Sequence, residues 1–508
     1  MQRYTLTTLD GGERIVTERV RSVRSVALGF WIGAGSRDES ERGAGISHFI
    51  EHLLFKGSSR YSGTQIAQVF DGLGGELNAA TAKEYTVVYA RILDAHLETA
   101  LDVMSDMLLA PTFDPAELAS EREVVLEEIA MYEDSYHDLA HDLIAAAVFA
   151  DHPLGRPVIG TADAVNGIDA GAVRDYHGTR YVGPNIVRAA AGNVEHEPLV
   201  HAVEQRFGAH AKLPDPAAGV RPLWVGDSTP QRVFQTKASE QYHICLGGIG
   251  LQRSDRRRFA ASLLDSMLGG SASSRLFQEI REKRGMAYSV YTFGSQYADT
   301  GMVGVYVGTR EDNLAECMRI TADQLVQIGS GEIPAEELNR AKENLKGRIM
   351  LSMESTSNRA SRLGKSVLTD TELLSLDRIC AEIDAVEPES VASLARLLFA
   401  PERMSVAGIG PDEDRFREAV AVLRPVLSVP AERGFGGLRL ERPVQEPVPI
   451  VLAALRGKML ALAAEIADGA FTNFLPLSGL PQVVQALRSA SGVNPSVPLG
   501  VSPDHRSS

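Results

Sequence analysis

The sequence predicts an α+β fold of two homologous domains, each a mainly antiparallel sheet with helices packed on one face, followed by a C-terminal tail. Three observations carry this expectation. Segments rich in Val, Ile, Phe and Trp, broken by glycines, alternate with segments of helical periodicity. The order strand pair, helix, strand pair, helix hairpin occurs twice. From residue 439 onward the pattern loses that register.

In the first copy, RIVTE and VALGFWIGAG within residues 14–35 read as strands. Residues 45–55 turn helical, because apolar Ile46, Phe49, Ile50, Leu53 and Leu54 recur three and four apart. A short helix at 63–73 runs into the Gly74-Gly75 break. Residues 76–93 return to strand, with TVVYARIL as the apolar end. Two helices follow at 95–109 and 115–132; Asp114 can cap the second, with Pro115 in its first position.

The second copy echoes the first. YHICLGGIGLQRSDR follows VALGFWIGAGSRDE, EDNLAECMRITADQL follows DAHLETALDVMSDML, and EELNRAKENLKGRI follows PAELASEREVVLEEI. In the last pair Leu118 falls on Leu338, 220 residues later, and Glu128 falls on Arg348. The expected domains are 1–213 and 221–430, with Pro-rich KLPDPAAGVRP as the linker. The extension, 439–508, reads as a linker into a strand, an amphipathic helix ending at Gly469, a strand, a loop and a helix. Its Pro/Ser-rich end, NPSVPLGVSPDHRSS, is expected to be disordered.

Composition excludes several classes. With 44% apolar and 23% charged residues the chain can bury a large core, and wholesale disorder is ruled out. A net charge of −15 argues against a dedicated nucleic-acid binder, which would show a basic stripe. Cys245, Cys317 and Cys380 are sparse, odd in number and without CxxC spacing, as in a reducing compartment. The start has no basic region leading into an apolar run, and no stretch of ~18 apolar residues occurs, so a cytoplasmic protein with no membrane partner is expected.

The chemistry concentrates in ISHFIEHLLF. His48 and His52 are four apart and share one helix face, the placement a zinc ion needs for bonds of ~2.0–2.1 Å. Glu51, one turn from His48, can reach water on such a metal without ligating it. The order H-x-x-E-H inverts the zincin H-E-x-x-H. His137 and His141 share the spacing but lack the glutamate and sit among acids in YHDLAHD, so a solvated or capping role is expected. A third ligand must come from elsewhere. The helix at 115–132 carries Glu117, Glu121, Glu123, Glu127 and Glu128, and Glu121 and Glu128 are seven apart on one face. A carboxylate from that face would complete a three-ligand site with an open fourth position.

GISHFIEHLLFKG, GGELNAATAKEYT and EREVVLEEIAMYED together resemble the pitrilysin/insulinase metallopeptidases, in particular the short two-domain form related to mitochondrial processing peptidase. The likeness runs over residues 1–430. It implies one zinc ion per chain, with Glu128, 76 residues after His52, as the third ligand. It also implies that Glu121 supports catalysis without ligating. In GGSASSRLFQEIREKRGMAYSVYT the resemblance assigns Arg281 and Tyr288, seven apart, to holding substrate backbone and the developing oxyanion. A fixed cation and a neutral phenol are suitable donors for that purpose. The family encloses substrate between two bowl-like halves of two domains each. One chain supplies two domains and carries both the motif and the Arg/Tyr pair, so a homodimer is expected, in which Arg281 and Tyr288 could serve the other copy's zinc.

The tail resembles something else. PVPIVLAALRGKMLALAAEIADGAFTNFLP is similar to a late fragment of the luciferase-like, flavin- or deazaflavin-dependent monooxygenase barrel. A closed barrel needs eight strands, so this fragment cannot bind flavin alone. Removing the chain after Arg439 is therefore expected to spare peptide cleavage.

The expected function is a zinc metalloendopeptidase cutting unfolded peptides or short polypeptides. Zn²⁺ on His48, His52 and Glu128 would polarise the scissile carbonyl and acidify a water. Glu51 would take that water's proton and pass it to the leaving amine. The strand LNAATA, with Asn78 and Ala79, would pair with the substrate backbone. The alternatives are a non-catalytic processing-peptidase-like subunit or scaffold, disfavoured by the filled motif, and a flavin-bearing oxidoreductase suggested by the tail.

Overall fold

The computed structural model describes residues 4–207, 221–224, 226, 229–423, 451–453, 469–472 and 499–501. The chain divides into two units, Met1–Leu427 and Ser428–Ser508.

The first unit holds two mixed sheets. Strands β1 (Tyr4–Thr8), β2 (Arg14–Arg19), β3 (Ser25–Ile32), β4 (Glu76–Thr81), β5 (Thr86–Leu93) and β6 (Ile186–Gly192) pair in the order β1-β2-β6-β3-β5-β4. Strands β7 (Arg232–Thr236), β8 (Tyr242–Ile249), β9 (Ala287–Gln296), β10 (Gly301–Thr309) and β11 (Met404–Gly410) pair as β7-β11-β8-β10-β9. With β1 set aside, the two orders match strand for strand. Each sheet has one parallel pair, β2 with β6 and β7 with β11. The remaining pairs are antiparallel. Strands β4 and β9 occupy equivalent sheet edges. Strand β1, which the sequence reading passed over, adds to the opposite edge of the first sheet.

The helices of the first half are α1 (Ile46–Leu54), α2 (Gly63–Leu73), α3 (Leu97–Leu109), α4 (Pro115–Asp134), α5 (Tyr136–Phe149), α6 (Ala162–Gly167), α7 (Ala170–Arg180) and α8 (His196–Phe207). Those of the second half are α9 (Arg258–Leu268), α10 (Leu314–Gly329), α11 (Ala335–Ser352), α12 (Thr356–Leu368), α13 (Leu376–Asp384), α14 (Pro388–Leu398) and α15 (Glu413–Ala421).

Alternation along β3 sends residues to two cores. Val26, Leu28, Phe30 and Ile32 pack with Phe49, Ile50 and Leu53 of α1 and with Leu101 and Met104 of α3. Ala27 and Trp31 face the other way, onto Ala360, Leu363 and Val367 of α12. The second sheet repeats the division. Ile244 and Leu246 meet Leu263 and Leu264 of α9, while Cys245, Tyr306 and Ala407 meet Ile144 and Val148 of α5. Each half's own helices thus cover one face, as expected, and the opposite face is covered by a helix from the other half. Burial of both faces is why β3 reads as a continuous apolar run.

A buried charge cluster ties the same halves. Arg37, fully buried, donates to Glu84 at 2.8 Å and, through two nitrogens, to Asp299 at 2.7 Å each. It also donates to the Pro222 carbonyl. Arg253 reaches Glu84 from the second half, and Arg221 chelates Asp38. Most of the expected linker lies outside the described residues, but its end, Arg221 and Pro222, is pinned here.

In the second unit β12 (Val451–Ala453), β13 (Gly469–Thr472) and β14 (Leu499–Val501) form a parallel sheet in that order. The two helices expected in the tail fall outside the described residues. The expectation that the chain end is disordered needs correction at 499–501, whose backbone pairs with β13. Among the described residues no helix is long and apolar enough to cross a membrane.

Candidate metal centre

Helix α1 begins where the backbone of Gly45 turns with φ 95°, and a Cβ there would lie 2.5 Å from the Ile159 carbonyl. No side chain caps this start in the usual way. Instead the buried Glu39 accepts hydrogen bonds from the amides of Gly45 and Ser47 at 2.7 and 2.8 Å. A carboxylate at this end also suits the helix dipole. The apolar stripe of Ile46, Phe49, Ile50, Leu53 and Leu54 is buried, which turns half-buried His48, Glu51 and His52 to the opposite side.

Helix α4 starts as its sequence suggests, with Asp114 accepting from the amides of Ala116 and Glu117. It buries Leu118, Glu121, Val125 and Ile129, and leaves Glu117, Glu123 and Glu127 exposed. Its packing on α1 brings two glutamates to the histidines. Glu128 Oε2 lies 3.7 Å from His48 Nε2 and 3.5 Å from His52 Nε2. Glu121 Oε2 sits 3.1 Å from His52 Nδ1, and its other oxygen pairs with Lys56 at 2.5 Å.

This donor set fits a zinc ion. Two imidazole nitrogens and a carboxylate oxygen converge at separations too long for hydrogen bonds, near the spacing of ligands around a tetrahedral ion with bonds of about 2.0–2.2 Å. His48, His52 and Glu128 form the one such group of His, Cys, Asp and Glu among the described residues. Burial, and then His52, lowers the His48 pKa to about 4, so its imidazole is neutral and its lone pair available. Glu121 holds the far nitrogen of His52, as a carboxylate behind a metal-binding histidine commonly does. His48 Nδ1 is buried without a hydrogen-bond partner, so packing alone orients that ring.

Glu51 is beside the group and not in it. Its pKa is raised mainly by burial, with hydrogen bonds from Thr81 drawing it back. The Thr81 hydroxyl donates to Glu51 Oε2 at 2.5 Å. Sequence reasoning did not single out Thr81 or Lys56. Both lie in segments that had been read, but a strand-to-helix bond across thirty residues has no local periodic signal.

The other candidates are distributed differently. Exposed Asn78 and buried Ala79 lie on the edge strand β4, and Asn78 Oδ1 accepts from the Ala79 amide. Arg281 and Tyr288 meet each other, the guanidinium lying 4.7 Å from the centre of the Tyr288 ring and 4.7 Å from that of Phe277. Tyr288 is 79% exposed. No hydrogen bond, ion pair or ring contact among the described residues joins either to the histidines or glutamates of the centre. The His137/His141 reading needs correction. Both ring nitrogens Nε2 bond the Tyr291 hydroxyl, at 2.5 and 2.7 Å, because α5 lays this face on the second sheet. His137 keeps an exposed edge, whereas His141 is half-buried against Phe293 and Tyr306.

Comparison with known proteins gives three family matches. Residues 14–162 match the insulinase family, peptidase family M16, and residues 167–345 match the M16 inactive domain. Residues 402–502 match luciferase-like monooxygenase, a span that begins two residues before β11 of the second sheet and runs through the strands of the second unit. An uncharacterized zinc protease of Streptomyces coelicolor is 43% identical over 423 residues, 82% of this chain and 92% of the relative. One from Bacillus subtilis is 41% identical over 411 residues, 81% of this chain and 98% of the relative. Among solved structures, a peptidase M16 inactive domain from Pseudomonas fluorescens aligns with a TM-score of 0.76 at 22% identity, covering 81% of this chain and 99% of that one. A protease from Helicobacter pylori aligns with a TM-score of 0.76 at 20% identity, covering 80% and 100%.

Proposed function

Since the chain belongs to the insulinase-type M16 zinc protease family, we propose that it is a zinc-dependent endopeptidase acting on unfolded peptides or short polypeptides. The observation that carries this reading is the convergence of His48, His52 and Glu128 beside a separately held carboxylate, Glu51. The first three would hold the ion. Zinc in such a site supplies Lewis acidity toward a carbonyl and a water.

The chain's own residues supply the rest. Glu51 takes a proton from the attacking water and returns it to the leaving amine nitrogen, a positioned acid–base role worth about 10²–10⁴ in rate. Burial raises its pKa from the ordinary carboxylate range, which suits a group that must both accept and release a proton. Glu121 keeps His52 in the tautomer that presents Nε2. Strand β4 has one unpaired edge, and a substrate laid along Asn78 and Ala79 as an added strand would be held through its backbone. Recognition of that kind requires an extended chain, hence unfolded substrates. Arg281 and Tyr288 provide a cation and a phenol donor for substrate carbonyls.

Peptide cleavage with and without a metal chelator, followed by mass mapping of products, tests this reading. Internal cuts that stop on chelation and return with zinc are expected. Cleavage indifferent to chelator, or no cleavage by zinc-loaded protein, would overturn it.

A further inference from the structure

Thr81 is the last residue of edge strand β4, and its partner across the ladder is Thr86 on β5. Thr86 spends its hydroxyl proton on the Ala34 carbonyl at 2.9 Å, and the two threonine hydroxyls are 3.5 Å apart. The Thr81 proton is thus left for the strongest acceptor within reach, Glu51 Oε2 at 2.5 Å. A glutamate carboxylate turns freely about its last bond, whose torsion is broad and roughly two-fold. A donor fixed to a sheet removes that freedom and determines which of the two oxygens is left without this bond.

The second half contains a similar bond without the metal ligands, at another register of its edge strand: Thr81 ends β4 opposite Thr86, whereas Thr292 lies within β9 opposite Val305. On α9, Asp265 accepts from the hydroxyl of Thr292 at 2.5 Å, and Thr292 lies on edge strand β9. Setting Asp265 against Glu51 places Ser262 and Ser266 where His48 and His52 stand. It also sets Leu263, Leu264, Met267 and Leu268 against Phe49, Ile50, Leu53 and Leu54, and all eight are buried. Arg348 takes the place of Glu128 on the matching helix α11. A strand threonine bonded to a helix carboxylate therefore forms in this fold whether or not the ligands are present.

We propose that Thr81 is a positioning residue of the first half: it orients the Glu51 carboxylate for proton transfer and leaves metal and substrate binding to other groups. The proposal rests on the reading of Glu51 as the general base. It assigns Thr81 a role in turnover, separate from the backbone role of the strand that carries it.

Two substitutions isolate the hydroxyl. Thr81→Val keeps the branched shape and strand propensity but removes the donor, and Thr81→Ser keeps the donor. For Thr81→Val we expect kcat to fall roughly tenfold to a hundredfold, the order of loss for a misplaced catalytic group, with KM and zinc content unchanged. Thr81→Ser should recover kcat to within about threefold of wild type, since its donor is intact. A second readout needs neither metal nor turnover. Metal-free Glu51→Gln protein, with and without Thr81→Val, should bind a fluorescent extended peptide with the same Kd.

A wild-type-like kcat for Thr81→Val would overturn the proposal, as would an equal loss in Thr81→Ser. Weaker peptide binding by the metal-free Thr81→Val protein would assign Thr81 to the substrate strand instead. A zinc-loaded wild type that cuts no peptide would sink the peptidase reading and this one together, so the two failures are distinguishable.

Discussion

Glu121 divides its two oxygens between His52 and Lys56 while almost wholly buried. Replacing it with glutamine keeps an acceptor for His52 but removes the charge that strengthens the imidazole as a donor of electrons. We expect Glu121→Gln to fold normally and to bind zinc about 10–100-fold more weakly, measured by competition with a chelator. His141 supplies a second residue-scale expectation. Burial, then His137, lowers its pKa to about 4 from an ordinary 6.5. As pH falls through that window the unfolded chain takes up a proton that the folded chain does not, so this residue's contribution to stability is present at neutral pH and is lost on acidification. His141→Gln should flatten the fall in melting temperature between pH 6.5 and 4, and an unchanged slope would refute it. At this scale the sequence was informative where chemistry depends on local spacing. His48, Glu51 and His52 lie within one helical turn and a fraction. Glu128 needed more, because five glutamates crowd the span 115–132 expected for its helix and spacing alone left two of them on one face; the family resemblance separated them. Thr81 was illegible, since a threonine ending a strand is ordinary until the helix opposite is known.

The elements were legible wherever one pattern dominated. Helix α2 spans the expected residues because Ser62 and Gln65 form a capping box at its start and Gly74 ends it in the left-handed conformation. Strand β1 was missed because YTLTT is half polar and lies at a sheet edge. The crossing of α5 and α12 to the opposite sheets was illegible for a different reason. An amphipathic helix announces that it has an apolar face, not which sheet that face will meet. Gly364 on α12 shows how close the contact is, since a Cβ there would stand 2.3 Å from the Trp31 ring. Gly364→Val should therefore cost about 1–3 kcal/mol in urea unfolding, the range for overpacking a filled core. Unaltered stability would mean that α12 does not rest on this face.

At the scale of the first unit, the duplicated halves are bound by exchanged helices and by the charges around Arg37. Removing that guanidinium would leave the bidentate partner Asp299 short of a cation, while Glu84 keeps Arg253 and Arg221 nearby. Arg37→Met should then destabilise the fold by about 3 kcal/mol, the lower end for breaking a buried pair, measured by denaturant unfolding. Glu84 belongs to the turn between β4 and β5, so the same cluster anchors the strand that carries Asn78, Ala79 and Thr81. The duplication itself was readable, because the matched segments keep their order and spacing. What replaced the motif in the second half became clear only when Asp265 was seen bonded to Thr292, a strand threonine at another register of the edge strand than Thr81. The central claim, hydrolysis with Glu51 as the base beside a zinc ion held by His48, His52 and Glu128, is tested most directly by Glu51→Gln. Its peptide cleavage, followed by mass spectrometry at matched zinc loading, should fall by at least about a hundredfold with zinc content unchanged. Cleavage at the wild-type rate by that zinc-loaded variant would contradict the account.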